Sequence, residues 1–414
     1  MPGTPGLRLE SPAAQQTPGI PRNAAEPPAP QIVEAVRVAL VHDWLDTWRG
    51  GERVLAEICN IYDEADIFAL VDFLADADRS RLGGRRATTS FLQRLPFARQ
   101  RFRSLLPLFP RAIESLDVSA YDLVISSSHA VAKGVRTHRG QLHVCYCYTP
   151  MRYAWDLRDQ YLRQTGLDHG LRGWLAGRVL DRLKAWDRET SRRVDDFIAI
   201  SRHVAGRIER CYGRDSTVIY PPVAIGPVDA AAVRGSAYVT VSQLVPYKRV
   251  DLIVEAFRRL PDRELIVIGE GPERARIEAI AGSNTRLLGR LPDRERDAWL
   301  ARARAFVFAA EEDFGIAPLE AQASGTPVIA LARGGALETV RGLDAPAPTG
   351  VLFAEQTADA IVAAVREFEA NRGRIDSAAC VENAHRFEPQ RFRRELRDFV
   401  AMRWAAFAGR KAAR

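Results

Sequence analysis

Residues 304–335 read RAFVFAAEEDFGIAPLEAQASGTPVIALARGG, and this stretch decides the fold. Residues 305–310 form an unbroken apolar run, short enough for one buried strand of a parallel sheet. Two acids follow, Glu311 and Glu312, then a turn at Phe314 and Gly315. A helix start over 318–323, a second strand over 327–330 and a loop at Gly334 and Gly335 complete the unit. Strand, turn, helix, strand places a polar loop and a helix N-terminus at the carboxyl end of a sheet, where open α/β folds bind ligands. Unpaired amides at such a helix start attract anions and hydroxyls. Seven residues separate Glu312 from Glu320, so one falls in the loop and the other about one turn into the helix. Both acids can face one crevice, but two solvated acids near a helix dipole would give the same spacing.

The flanking residues add to that pattern. EDFGIAPLEAQASGTPVIA resembles the signature of retaining family 4 glycosyltransferases of the GT-B fold. The resemblance implies an α/β protein of two Rossmann-like, doubly wound domains facing a cleft, with a C-terminal helix crossing back to the first domain. It implies that Glu312 meets hydroxyls of a donor sugar and that Glu320 holds the nucleotide ribose. The amides of Phe314, Gly315, Ile316 and Ala317 would then lie along the donor. The likeness covers roughly residues 36–400 and is strongest in the second half.

A chain of 414 residues is long enough for two domains with real cores. Hydrophobic residues make up 47% and charged residues 27%, the balance of a globular protein, and no apolar run reaches membrane-spanning length. Residues 1–34 are rich in Pro, Ala and Gly and lack the apolar core of a signal peptide, which predicts a disordered leader. The five cysteines form no disulfide framework, so they read as small buried hydrophobes of a reduced, cytoplasmic protein. No cluster has metal-ligand spacing, and the resemblance likewise implies a metal-independent enzyme without a cofactor. The net charge of +7 is uneven: between Arg79 and Arg111 stand nine arginines and no acid. Aromatic and leucine side chains interleave with them, and Pro96, Pro107 and Pro110 rule out one long helix. An ordinary packed helical pair explains the stretch as well as docking on an anionic membrane surface does. No recognised module for nucleic acid surrounds it.

The first domain is predicted over 35–218. A strand at 35–42 leads into DWLDTWRGG and a helical pattern from Glu52. Glycines at Gly50 and Gly51 let backbone approach a diphosphate, although a tight turn would use them too. By resemblance they belong to the glycine loop of family 4 enzymes, and HDWL with RGGERVL is similar to a mannosyltransferase-like subgroup that builds bacterial surface polysaccharides. A strand at 121–128 ends beside His129, which the resemblance puts next to the transferring sugar; Lys133 is a candidate for acceptor or phosphate. After the strand at 142–148 comes TPMRYAWD, with Arg152 and Tyr153 expected on the acceptor side. The subgroup usually has histidine before this Thr-Pro. Here Tyr148 stands instead, and its neutral hydroxyl cannot do an imidazole's proton chemistry.

Pro221 and Pro222 begin a predicted linker over 219–236, and the nucleotide-sugar domain is expected over 237–388. Lys248, in VPYKRVDL, sits at a strand-to-helix junction where a point charge stabilises a departing nucleoside diphosphate. The family usually carries a second basic residue where this chain has Gln243, leaving Arg249 as a compensating candidate. Gly289 and Leu291 fall near the nucleotide base by resemblance. Residues 389–414 are predicted to be a basic helix. The resulting expectation is a retaining hexosyltransferase that moves mannose from GDP-mannose, or another sugar from a UDP-sugar, onto a lipid-linked saccharide in surface polysaccharide (lipopolysaccharide or exopolysaccharide) assembly. Such an enzyme would be cytoplasmic or peripheral on the inner membrane face. The alternative is a weakened GT-B protein serving as a scaffold.

Overall fold

The computed structural model describes residues 36–156, 158–164, 166–167, 169–226 and 234–412. The expected leader and residues 227–233 of the expected linker lie outside the described residues. Two all-parallel sheets organise the rest. The first runs β3-β2-β1-β4-β5-β6-β7, built from β1 (Val38–His42), β2 (Asp66–Ala69), β3 (Thr88–Thr89), β4 (Leu123–Ser128), β5 (Leu142–Cys147), β6 (Asp196–Ala199) and β7 (Thr217–Val218). The second runs β10-β9-β8-β11-β12-β13. Its strands are β8 (Tyr238–Val241), β9 (Leu265–Ile268), β10 (Thr285–Gly289), β11 (Phe306–Phe308), β12 (Val328–Leu331) and β13 (Gly350–Phe353). These are the two doubly wound domains expected from the sequence.

The central strands of each sheet are largely apolar and buried, as in a sheet covered on both faces. β4 and β5 are buried at every position, yet β4 ends in three serines. Those hydroxyls lie at the carboxyl end, where strand order reverses between β1 and β4. The second sheet reverses between β8 and β11. Both reversals leave a crevice beyond the strand ends. All five cysteines are buried, Cys145 and Cys147 in one core cluster under β5. The arginine-rich stretch folds as short helical turns broken at its prolines, not as one helix.

The helix Pro389–Ala412 crosses back to the first domain. Phe392, Leu396 and Val400 recur at helical spacing and are fully buried in the first-domain core. Phe392 meets Tyr146 of β5 edge-on at 5.6 Å, while Arg393 and Arg403 pair with Glu57 and Asp196 at 2.6 and 2.5 Å. Phe392→Ala should destabilise the protein by about 3–5 kcal/mol in urea unfolding. Met402→Ala, on the exposed side of the same helix, should stay within about 0.5 kcal/mol. A loss below about 1 kcal/mol for Phe392→Ala would contradict this docking.

Candidate functional site: the interdomain crevice

From the first domain, the helix Gly50–Ile61 points its N-terminus into the crevice. Glu52 caps it, its carboxylate accepting the Arg49 amide at 2.9 Å. A Cβ on Gly50 would come within 2.8 Å of the Ile316 side chain of the second domain, so the two walls approach closely here. The loop is held from beneath by a buried polar chain. Tyr148 donates its hydroxyl proton to the Gly51 carbonyl at 3.1 Å and shares a 2.8 Å bond with Ser127 Oγ. Ser127 meets His42 Nδ1 at 3.0 Å, and the other ring nitrogen of His42 lies 3.7 Å from Glu52. Burial pushes the Tyr148 phenol far up, so it stays protonated as a donor.

Asp43, fully buried, follows β1 and accepts four successive amides, from His129, Ala130, Val131 and Ala132, at 2.6–3.0 Å. Its Oδ2 also takes His129 Nδ1 at 2.9 Å. Burial alone would raise this carboxyl, but His129 and the amides hold it well below the usual range. Burial opposes the charge on His129, and Asp43 outweighs it, raising the ring's pKa. His129 is thereby fixed at the crevice, about one-third exposed (36%) with Trp44 packed edge-on at 4.6 Å.

The second domain supplies the acid loop between β11 and the helix Ile316–Ala323. Gly315 enters that helix at φ 88°, a conformation that favours glycine. The Glu312 carbonyl accepts the Gly335 amide at 2.8 Å, and Phe314 stacks on Tyr220 at 5.9 Å, which orients the loop. Each acid then takes a separate direction. Glu311 is exposed. Glu312 is in contact with the Lys248 ammonium. Asp313 reaches the first domain, meeting Arg207 at 2.7 Å and Arg152 at 3.5 Å, while its carbonyl accepts Ser201 Oγ at 2.6 Å. Burial first, and Arg152 second, push the Lys248 ammonium down to about 7; Asp313 and the touching Glu312 oppose them and favour the charged form. Glu320 pairs with Arg53 at 2.7 Å across the crevice. Beside it opens a cavity of about 1190 Å³ lined by Trp48, Arg53, Arg81, Asp293, Arg296 and Glu320.

Glu312, Glu320, Lys248, Gly50, Gly51, His129, Phe314, Gly315, Ile316 and Ala317 therefore fall at or beside the crevice walls. One expectation needs correction. Lys133 does not reach the crevice: it is 1% exposed, its ammonium enclosed by Asp187, Trp186 and Tyr212. Arg249 is engaged by Asp251 at 3.2 Å, and Gln243 is exposed. Gly289 (φ 71°) lies beside Glu270, and Leu291, half-buried, packs against the second-domain core. Tyr153 packs with the first-domain core beneath the crevice. Asp43, Asp313 and Glu338 went unread; Glu338 accepts the Arg202 and His203 amides at 2.9 and 3.0 Å, capping a first-domain helix from the second domain. Asp43 and Asp313 stand inside the HDWL and EEDFG runs, and that adjacency was the available signal. Among the described residues no group of three or more His, Cys, Asp or Glu is arranged to hold a metal ion.

Two parallel α/β domains walling one crevice define the GT-B class of glycosyltransferase folds. Sucrose-phosphate synthase from Thermosynechococcus elongatus superposes with a TM-score of 0.67 at 17% identity, covering 90% of this chain and all of that one. Anabaena HepE in complex with UDP gives 0.61 at 17% identity, covering 88% of this chain and all of that one. The glycosyltransferase family 4 model matches residues 48–225, and that of glycosyl transferases group 1 matches residues 233–387. The chain belongs to this group 1/family 4 glycosyltransferase family. Among its relatives is a GDP-mannose-dependent monoacylated alpha-(1-6)-phosphatidylinositol monomannoside mannosyltransferase of Corynebacterium glutamicum, 30% identical over 184 residues (37% of this chain, 48% of the relative). Another is a D-inositol 3-phosphate glycosyltransferase of Mycobacteroides abscessus, 30% identical over 240 residues (52% and 51%). The chain spans about half the length of these two curated relatives.

Asp43 gives a pH-dependent prediction. Its carboxyl is depressed on folding, so its stabilisation is present above the unfolded value of about 3.9 and is lost as pH falls toward the folded value. Asp43→Asn should cost about 3 kcal/mol or more in urea unfolding at pH 6, through the buried amides left short of a charged acceptor. The gap from the unsubstituted protein should narrow steadily below about pH 4. A gap unchanged at pH 3 would refute the assigned role.

Proposed function

We propose that this chain is a retaining, metal-independent hexosyltransferase that moves mannose from GDP-mannose onto a lipid-linked saccharide at the inner membrane face, in surface polysaccharide assembly. The observation that carries this reading is the Lys248–Glu312 contact on the second-domain wall, with the glycine-started helix Gly50–Ile61 standing close to that wall at Ile316. Family membership supports sugar transfer. The donor and lipid named for the corynebacterial relative support mannose and a lipid acceptor.

In this reading Glu320 accepts from the ribose hydroxyls and Glu312 from the sugar hydroxyls. As the bond between sugar C1 and the β-phosphate oxygen breaks, its electron pair stays on that oxygen. Lys248 and the Gly50–Gly51 amides stabilise the growing charge. The acceptor hydroxyl bonds to C1 from the same face, and its proton passes to the departing phosphate oxygen. Walls in contact at Gly50 and Ile316 exclude water, so transfer outruns hydrolysis.

A panel of GDP- and UDP-sugars with extracted lipid acceptors tests it through nucleoside diphosphate release. Transfer from GDP-mannose is expected, and Glu312→Gln should lower it by about 100-fold or more with an unchanged circular dichroism spectrum. Full activity in Glu312→Gln would overturn the role of that acid. Release from a UDP-sugar alone would change the donor, and donor binding without turnover would favour a scaffold.

Membrane docking belongs to the same proposal. Arg79, Arg81, Arg85 and Arg103 of the basic stretch have internal partners. Arg94, Arg99 and Arg101 are exposed, and with them Phe91 (41%) and Phe97 (71%), the latter at φ 58° on a turn tip. Each such arginine adds about 1 kcal/mol on an anionic surface. Among the described residues no helix is long and apolar enough to cross a membrane. The protein should sediment with phosphatidylglycerol vesicles and not with phosphatidylcholine ones, and Phe97→Ala with Arg99→Ala should reduce the binding. Equal sedimentation with both compositions would rule out this docking.

A further inference from the structure

Around Glu312 the second-domain wall brings one cation into contact: Lys248 touches that acid, Arg333 reaches the neighbouring exposed Glu311 at 4.0 Å, Gln243 is uncharged, and the Arg249 guanidinium meets Asp251. A guanidinium from the other wall stands beside it. Arg152 lies in the loop after β5, and its Cζ sits 5.9 Å from the centroid of the Tyr247 ring. Lys248 Nζ sits 5.2 Å from the same centroid. Tyr247 thus has a first-domain cation and a second-domain cation against one ring.

Arg152 is only loosely committed where it is. Its bond to Asp313 is 3.5 Å long, at the edge of hydrogen bonding, and Asp313 already has Arg207 at 2.7 Å. The Nε of Arg152 is buried and lacks a partner in a side chain that carries five donors. Like charges held this close to Lys248 repel, and that repulsion contributes to the depressed lysine. An anion between the two would relieve the repulsion and satisfy the idle donors together. A planar guanidinium fork suits phosphate oxygens better than a point charge does.

We propose that Arg152 is the second phosphate-binding cation of the crevice, supplied by the first domain, and that with Lys248 it grips the leaving diphosphate from opposite walls. Sequence placed Arg152 on the acceptor side; its position beside Tyr247 and Lys248 puts it on the donor phosphates. This rests on the reading that the crevice takes a nucleotide sugar. It adds that the leaving group is fully neutralised only when both walls meet around it.

Titration calorimetry with GDP, GMP, UDP and UMP tests the idea. In Arg152→Ala the diphosphate that binds should weaken about tenfold or more, while its monophosphate changes less than about twofold. Arg152→Lys, which keeps charge but loses the fork, should fall between, and should fold where the alanine variant does not. Adding Gln243→Arg to Arg152→Ala should restore part of the diphosphate affinity. Equal weakening of mono- and diphosphate would reduce Arg152 to a structural tie, and no weakening would dismiss it. An unsubstituted protein that binds neither diphosphate would overturn the nucleotide-sugar reading itself.

Discussion

Asp313 fastens the two walls together at the point where chemistry would take place. Its carboxylate meets Arg207, a guanidinium only 3% exposed, and its carbonyl takes the Ser201 hydroxyl. Arg207 also contacts Asp156, so this guanidinium holds a first-domain and a second-domain carboxylate together. The tie is one residue from Glu312 and two before the glycine that starts the Ile316–Ala323 helix. Any shift of the first-domain helix Arg202–Tyr212 therefore moves the acid loop directly. Glu338, capping that same helix, adds a second tie from the second domain, and Tyr220, Phe314 and Phe387 pack between them.

The charges in the crevice are matched almost pair by pair. Glu312 answers Lys248, Glu320 answers Arg53, and Asp313 answers Arg207. Two of these three pairs cross from one domain to the other. An incoming anion changes that matching: a diphosphate competes with Glu312 for Lys248, and a ribose competes with Arg53 for Glu320. Each carboxylate so released gains a free acceptor for a hydroxyl. On the proposed reading the same groups exchange one partner for another when the donor binds.

The architecture was legible because apolar runs of strand length alternate with helical periodicity, and that pattern survives without knowledge of partners. The acid run was legible for a similar reason: its turn glycine and helix start are local features. Partners distant in sequence were not. Lys133 looks like a loop lysine after a strand, and its burial depends on Asp187, 54 residues on. Asp43 reads as one more loop acid until the amides 86–89 residues away close around it. Tyr148 reads as a neutral hydroxyl, and its use as a strut beneath Gly51 depends on a contact spanning 97 residues.

The distribution of cations also bears on why two domains are needed at all. If one domain carried every group that neutralises the diphosphate, bond breaking would be assisted with the crevice open and water present. On the proposed reading, with Arg152 and the glycine helix on one wall and Lys248 on the other, the positive charge that supports departure is divided between the walls. Closure then brings together the electrostatic stabilisation and the exclusion of water in a single motion.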